Sequence, residues 1–243
     1  MNRRTTNAIR FVLDELLPPF IRDSKVFMYP LYVFAYGKLD VRREMAFKEL
    51  VQSWTSTEYQ DFYRSLTSSI SRRRVTDLNM PSVTRILAEL EDATTVIDVG
   101  CGNGWLLGQI SASRPQVALF GVDVVDAPRL GGSYRYARAV VERLPFKDDA
   151  FDVVVCTHTL EHLLDLEAAV AELSRVARHK LVVVVPRQRP YRYTLDEHVN
   201  FFRHRYELVN AIGLDEFSCD NVSGDWVYVG RPQPKAPPSL PSP

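Results

Sequence analysis

The chain carries two kinds of hydrophobic pattern, and the change falls near residue 80. Before that point apolar residues recur at helical spacing. Phe11, Val12, Leu13, Leu16 and Leu17 mark one helical face, which stops at Pro18 and Pro19. Leu39 to Trp54 puts Met45, Phe47, Leu50, Val51 and Trp54 on a second stripe, and Thr57 to Ile70 reads as a third helix. Between the first two lies Val26 to Tyr36 (VFMYPLYVFAY), 11 residues interrupted by Pro30. That run is far shorter than the ~20 residues a membrane-spanning helix needs. It predicts a packed segment, with a lid or an interfacial contact as the other readings.

Beyond residue 80, short continuous apolar runs alternate with helical stretches. Ser82 to Leu90 reads as a helix with Pro81 near its start. Strands are predicted over Thr94 to Val99, Val117 to Val125, Phe151 to Cys156 and Leu181 to Val185, the last stopped by Pro186. Leu106 to Ser113, Leu160 to Ala177 and Tyr206 to Ile212 read as helices. Phe217 to Val222 and Trp226 to Val229, joined across Ser223-Gly224-Asp225, read as a hairpin. Strands apolar on both faces and separated by helices predict an α/β fold with a covered parallel sheet. The expected organisation is a helical lid or substrate segment over 1–80, a core over 81–230 and a disordered Pro-rich tail over 231–243.

Composition narrows the function classes. Hydrophobic content of 46% and charged content of 25% are ordinary globular values. Thirty basic and thirty acidic residues cancel, which argues against a general nucleic-acid binder, so no nucleic-acid partner is expected. Arg72-Arg73-Arg74 reads as a solvated face. Three cysteines make no disulfide framework and no zinc site, so a cytoplasmic, reducing setting is expected.

The sharpest motif is Asp98-Val99-Gly100-Cys101-Gly102-Asn103-Gly104, placed after a strand and before a helix. A dinucleotide fingerprint would need glycine at position 105, where Trp105 stands, and a triphosphate loop would need a lysine. A ligand with a carboxylate, an amine and a nucleoside fits better. The helix N-terminus favours the carboxylate, and Asp98 attracts the ammonium. Asp123 ends the next strand, where an acid can accept both ribose hydroxyls.

Four segments carry a resemblance: VIDVGCGNG (Val96 to Gly104), GVD (Gly121 to Asp123), ERLPFKDDAFDVVVC (Glu142 to Cys156) and THTLEHL (Thr157 to Leu163). Over about 80 to 230 the chain resembles the class I S-adenosylmethionine-dependent methyltransferases of type 11. It is similar in particular to the ubiquinone and menaquinone biosynthesis group. The resemblance implies a Rossmann-like, seven-stranded, mostly parallel sheet with helices on both faces, here with an N-terminal helical extension. It implies S-adenosyl-L-methionine as cofactor. By matched position, Asp98, Gly100, Cys101, Gly102 and Gly104 hold the methionine part, Asp123 the ribose, and Val124 lies beside the adenine. Glu142, Arg143 and Leu144 line the adenine, and Thr157 and His158 face the sulfonium with Cys156. Many relatives have an Asp where Val140 stands, which shifts adenine recognition here to backbone groups or Glu142.

The implied reaction moves a methyl group to a small-molecule or lipid-linked saccharide acceptor, at oxygen. Such a transfer needs alignment and removal of a proton, for which histidine is the natural base. His158, His198 and His162 are the catalytic candidates, while His179 and His204 read as surface residues. Some relatives bind metal through E-x-x-E-H. Here His158 replaces the first acid, and Glu161 suits a first helical turn without an ion, so no metal is expected. Arg187, Arg189 and Arg192 with Tyr191 and Tyr193 suggest an anion or sugar site. Phe27, Tyr29, Tyr32, Phe34 and Tyr36 suggest an aromatic lid and a peripheral membrane contact. The competing readings are methylation of RNA or protein, and a non-catalytic cofactor-binding protein.

Overall fold

The computed structural model describes residues 12–65, 75–125, 133–193 and 195–232. The basic run at Arg72 to Arg74, the first eleven residues and most of the Pro-rich tail lie outside them. The chain forms two compact units. One runs up to Asp77 and adds Glu161–Leu164 and Pro186–Arg203, and the other holds the remainder. The N-terminal unit is therefore not one contiguous stretch.

That unit has a π turn at Val12–Leu16, then α1 (Pro19–Arg22), α2 (Lys25–Leu50), a 3-10 turn at Val51–Ser53 and α3 (Ser56–Ser65). Pro18 and Pro19 do more than stop a helix. Pro19 occupies the first position of α1, where its fixed φ is preset and its missing N–H is no loss. The apolar run lies inside α2, which tolerates Pro30 and kinks at Gly37, where φ is 82°. Met28, Tyr32 and Tyr36 follow i, i+4 spacing and bury one face with Val41, Met45 and Tyr193. Phe47, Val51, Tyr59 and Phe62 form a second cluster, in which Phe47 stacks on Phe62 at 5.2 Å.

The other unit holds seven strands: β1 (Thr95–Val99), β2 (Ala118–Asp123), β3 (Arg135–Arg138), β4 (Phe151–Thr157), β5 (Ala177–Pro186), β6 (Glu216–Val222) and β7 (Asp225–Arg231). Its helices are α4 (Met80–Glu89), α5 (Trp105–Ser113), α6 (Leu166–Val176) and α7 (Arg205–Ile212). The sheet order is β3-β2-β1-β4-β5-β7-β6. Neighbours from β3 to β5 pair in parallel, and β6 and β7 are antiparallel. This is the Rossmann-like, mostly parallel sheet expected. Parallel pairing brings the ends of β1, β2 and β4 to one edge, where such sheets bind ligands.

Three elements differ from expectation. The helix read over Leu160 to Ala177 is a 3-10 turn at Leu160–His162 followed by α6. The side chain of Asp165 accepts the Ala168 N–H at 2.9 Å and starts a new helix. β3 carries no apolar run, and β5 begins four residues earlier than its apolar stretch. The core between sheet and helices includes Val96, Leu107, Ile110, Val155, Val182 and Val184. Burying such a side chain contributes ~1.5–3 kcal/mol, which fixes the strands that carry the loops.

Candidate active site

The loop after β1 is built from backbone. The N–H groups of Gly100 and Cys101 both donate to Val122 O, at 2.8 and 3.0 Å, tying the loop to β2. Gly100 has φ of 78°, and a Cβ there would collide with the Thr159 side chain. No side chain fits between this loop and the segment after β4. Gly104 then opens α5. The Cys101 thiol is buried, which raises its pKa, and Cys156 and Cys219 are likewise buried and outside any disulfide.

Asp98 lies on β1 with 1% exposure, and its Oδ1 has no hydrogen-bond partner. Burial, and then the charge of Asp123, push its carboxyl up to about 7. An orphaned acid oxygen beside a glycine loop fits a cationic ligand group. Asp123 accepts the Gly102 N–H at 2.7 Å and the Val125 N–H at 3.1 Å. A carboxylate has about four acceptor positions, so capacity remains for a pair of hydroxyls. Tyr136 donates to Asp123 O at 3.2 Å and to Val125 O, which fixes the tip of β2. Val124 is half-buried there.

The segment proposed for adenine is held from behind. Leu144 donates its N–H to Glu172 Oε2 at 2.7 Å. Arg175 reaches Leu144 O at 3.1 Å, Phe146 O at 2.7 Å and Asp148 at 2.8 Å, while pairing with Glu172. Leu144 is buried, Glu142 is half-buried with its pKa raised by burial, and Arg143 is exposed. Sequence reasoning missed Glu172 and Arg175. The available signal was their i, i+3 spacing on α6.

At the end of β4, Thr157 O accepts the Thr159 hydroxyl at 3.1 Å. His158 follows with φ of 50°, its N–H anchored to Val184 O at 2.8 Å. Its Nε2 stands 3.6 Å from Asp225 Oδ2. The structure thus gathers the glycine loop, Asp123, Glu142 to Leu144, Thr157 and His158 in the sheet unit.

His162 and His198 belong to the other unit. His162 Nδ1 lies 3.3 Å from Glu197 O, and His198 Nδ1 lies 2.5 Å from Gln188 Oε1. Their rings meet edge to face at 4.7 Å. His158 lies outside any helix, and His162 ends the 3-10 turn at Leu160–His162. Glu161, His162 and His198 each offer a ligand atom within 4.8 Å of the others, the arrangement among the described residues that could hold a metal ion. His179 and His204 are exposed, as expected.

The arginine loop corrects an expectation. Arg189 donates to Leu13 O and Leu17 O at 3.3 and 2.8 Å, and Arg192 pairs with Glu49 at 3.2 Å. Tyr191 and Tyr193 are buried, with the Arg22 guanidinium 4.1 Å above the Tyr191 ring. Arg189 ties backbone carbonyls of the N-terminal unit, Arg192 pairs with Glu49 at the surface, and the two tyrosines are buried rather than presented to a sugar.

The sheet order, the glycine loop and the acid at the tip of β2 are the features that the resemblance to class I S-adenosylmethionine-dependent methyltransferases implies. Residues 97–185, a little over a third of the chain, match the family model described as Methyltransferase domain. The ubiquinone biosynthesis O-methyltransferase of Hahella chejuensis is 38% identical over 93 residues, covering 34% of this chain and 38% of that protein. A demethylmenaquinone methyltransferase of Roseiflexus sp. is 34% identical over 109 residues, covering 42% of this chain and 46% of that protein. The chain thus spans less than half the length of these curated relatives. Among solved structures, the 1,6-didemethyltoxoflavin-N1-methyltransferase of Burkholderia thailandensis, bound to S-adenosylhomocysteine, superposes with a TM-score of 0.52 at 18% identity. That likeness covers 79% of this chain and 89% of that one, and at this identity it shows the fold.

Proposed function

We propose that the protein transfers a methyl group from S-adenosylmethionine to a hydroxyl of a small-molecule acceptor. The observation that carries this reading is the pair of acids around the glycine loop: Asp98, buried with an orphaned Oδ1, and Asp123 at the next strand tip. When bound, the cofactor supplies an electrophilic methyl and a neutral thioether leaving group. Asp98 would pair with its ammonium, the amides opening α5 would meet its carboxylate, and Asp123 would accept its ribose hydroxyls. Val124 and the Glu142 to Leu144 segment flank the adenine, with Cys101 and Thr157 completing the pocket. His158 takes the hydroxyl proton as the carbon–oxygen bond forms, so the acceptor leaves as an ether and the base as an imidazolium.

The relative named as a ubiquinone biosynthesis O-methyltransferase supports transfer to oxygen, and the one named as a demethylmenaquinone methyltransferase supports a quinone-type acceptor. The engaged Arg189 and Arg192 weigh against a phosphorylated or glycan acceptor. The aromatic cluster of α2 supports the N-terminal unit as the part that selects the acceptor, with His162 and His198 inside it. Buried cysteines outside any disulfide support a cytoplasmic setting. Among the described residues no helix is long and apolar enough to cross a membrane, but exposed Phe20, Val26 and Phe34 support peripheral contact with lipid.

Calorimetry tests the cofactor half. S-adenosylmethionine should bind at micromolar levels, and Asp123→Ala should weaken it at least tenfold. No binding at millimolar cofactor sinks the enzyme reading. A labelled-methyl screen across dihydroxyphenols, quinols, sugars and RNA tests the acceptor, with label on a phenol expected. Label on RNA or protein selects the macromolecular alternative, and binding without turnover selects the non-catalytic one.

A second reading is favoured by the Glu161, His162 and His198 cluster: a divalent ion held there acidifies the hydroxyl it ligates. Equilibrium dialysis with Mn2+ decides it. Stoichiometric binding lost in His198→Ala supports it, and no binding dismisses it.

A further inference from the structure

We propose that Asp225, held in place by Asn79, positions His158 as the proton acceptor of the transfer, a role that rests on the reading of His158 above. Asp225 is the buried first residue of β7. Its Oδ2 faces His158 Nε2 at 3.6 Å and accepts from Asn79 Nδ2 at 2.6 Å. The same amide donates to Val222 O at 2.9 Å, while Asn79 Oδ1 caps α4 by accepting the Ser82 N–H at 2.8 Å. One asparagine thus locks the carboxylate to the start of a helix and to the end of β6.

A carboxylate at Nε2 favours the tautomer protonated there, which leaves Nδ1 as the basic nitrogen. It also stabilises the imidazolium once the proton arrives. His158 holds a positive φ that is costly for a residue with a Cβ, and its N–H is pinned to Val184 O. Such conformations persist where the surroundings over-determine them.

Other charged groups on the adjoining elements have partners of their own among the described residues. Asp152 at the start of β4 pairs with Arg178, and Lys180 of β5 pairs with Glu89. His179 lies 3.8 Å from Asp152. Arg85 of α4 pairs with Glu89, and Arg231 of β7 with Glu216. Asp98 of β1 lies in register with Val155, three residues before His158. Asp225 Oδ2 stands at ion-pair distance, 3.6 Å, from the imidazole Nε2.

Nitrogen-15 NMR of the histidines in the full chain reads the pair without any acceptor. Wild-type His158 should show the Nε2–H tautomer. Asp225→Asn should mix the tautomers and lower the His158 pKa by about one unit. An Nδ1–H tautomer in the wild type, or an unchanged pKa in the variant, overturns the proposal. With S-adenosylmethionine and 3,4-dihydroxybenzoate as the probe acceptor, Asp225→Asn should lose about 10- to 100-fold in kcat with KM within twofold. Asp225→Glu, which keeps the charge, should recover part of the loss. Wild-type kcat in Asp225→Asn beside an inactive His158→Ala overturns the positioning role alone. Full turnover in His158→Ala overturns the base reading, even where the NMR coupling stands.

Discussion

Two buried acids in the sheet unit are driven in opposite directions, and the difference lies in their partners. Burial works against ionisation of Asp152, but hydrogen bonds from Thr94 and Thr95 outweigh it and hold the pKa at about 2. The stability Asp152 contributes is present above the ordinary carboxylate range and is lost as pH falls through about 2. Asp98 has an orphaned oxygen and a pKa of about 7. Between about pH 4 and 7 its folded form keeps a proton that the unfolded chain has released. Its contribution is therefore full below about pH 4 and is lost as pH rises through 7. A cation beside it reverses the preference by favouring the carboxylate. Melting of the ligand-free protein should fall between about pH 4 and 7 and level off above, while S-adenosylmethionine affinity rises over the same window. Asp98→Asn should flatten both profiles in calorimetry and thermal melts. Unchanged slopes would assign the titration to another group.

At the scale of elements, the readable parts are those with uninterrupted patterns. β1, the glycine loop, α5 and the hairpin show their periodicity and punctuation within a few residues. β3 was not legible because Arg-Tyr-Ala-Arg pairs with β2 by register alone, with no apolar run of its own. The break before α6 was hidden because Leu160, Leu163, Leu164 and Leu166 continue an apolar spacing across it. The only local sign was Asp165 as a cap. The His158 and Asp225 pair joins residues 67 positions apart (225 − 158), which no local pattern encodes. The same holds for the support behind Leu144. Arg175→Ala removes a guanidinium fork from two carbonyls and two carboxylates. It should cost about 2 kcal/mol and lower the melting temperature by roughly 5 °C. Cofactor affinity should drop several-fold as Glu142 to Leu144 loosen. Arg175→Lys should not restore it, because a point charge cannot replace the fork. Wild-type affinity in a destabilised Arg175→Ala would confine the residue to stability.

At the scale of the whole molecule, zero net charge hides an uneven distribution of apolar surface. Short stretches following β4 and β5 belong to the N-terminal unit, so that unit is stitched into the chain at three places. Its helix α2 uses one face for the Met28, Tyr32 and Tyr36 cluster. On another face Val26, Pro30 and Phe34 follow i, i+4, i+8 spacing, with Val26 85% and Phe34 83% exposed. Phe20 of α1 is 76% exposed as well. Scattered exposed apolar residues need no explanation, whereas a stripe on one helix is a candidate contact surface. An acceptor dissolved in lipid would make a membrane surface the fitting partner. Transfer of one such side chain into the acyl boundary contributes ~1.5–3 kcal/mol, about tenfold or more in partitioning. Wild-type protein should co-sediment with phosphatidylcholine–phosphatidylglycerol vesicles. The Val26→Ser, Phe34→Ser double variant should lose at least tenfold of that binding while keeping its melting temperature, because neither side chain contributes to the buried cluster. Binding that survives the double variant would move the contact to another surface, and wild-type protein that stays in the supernatant would remove it.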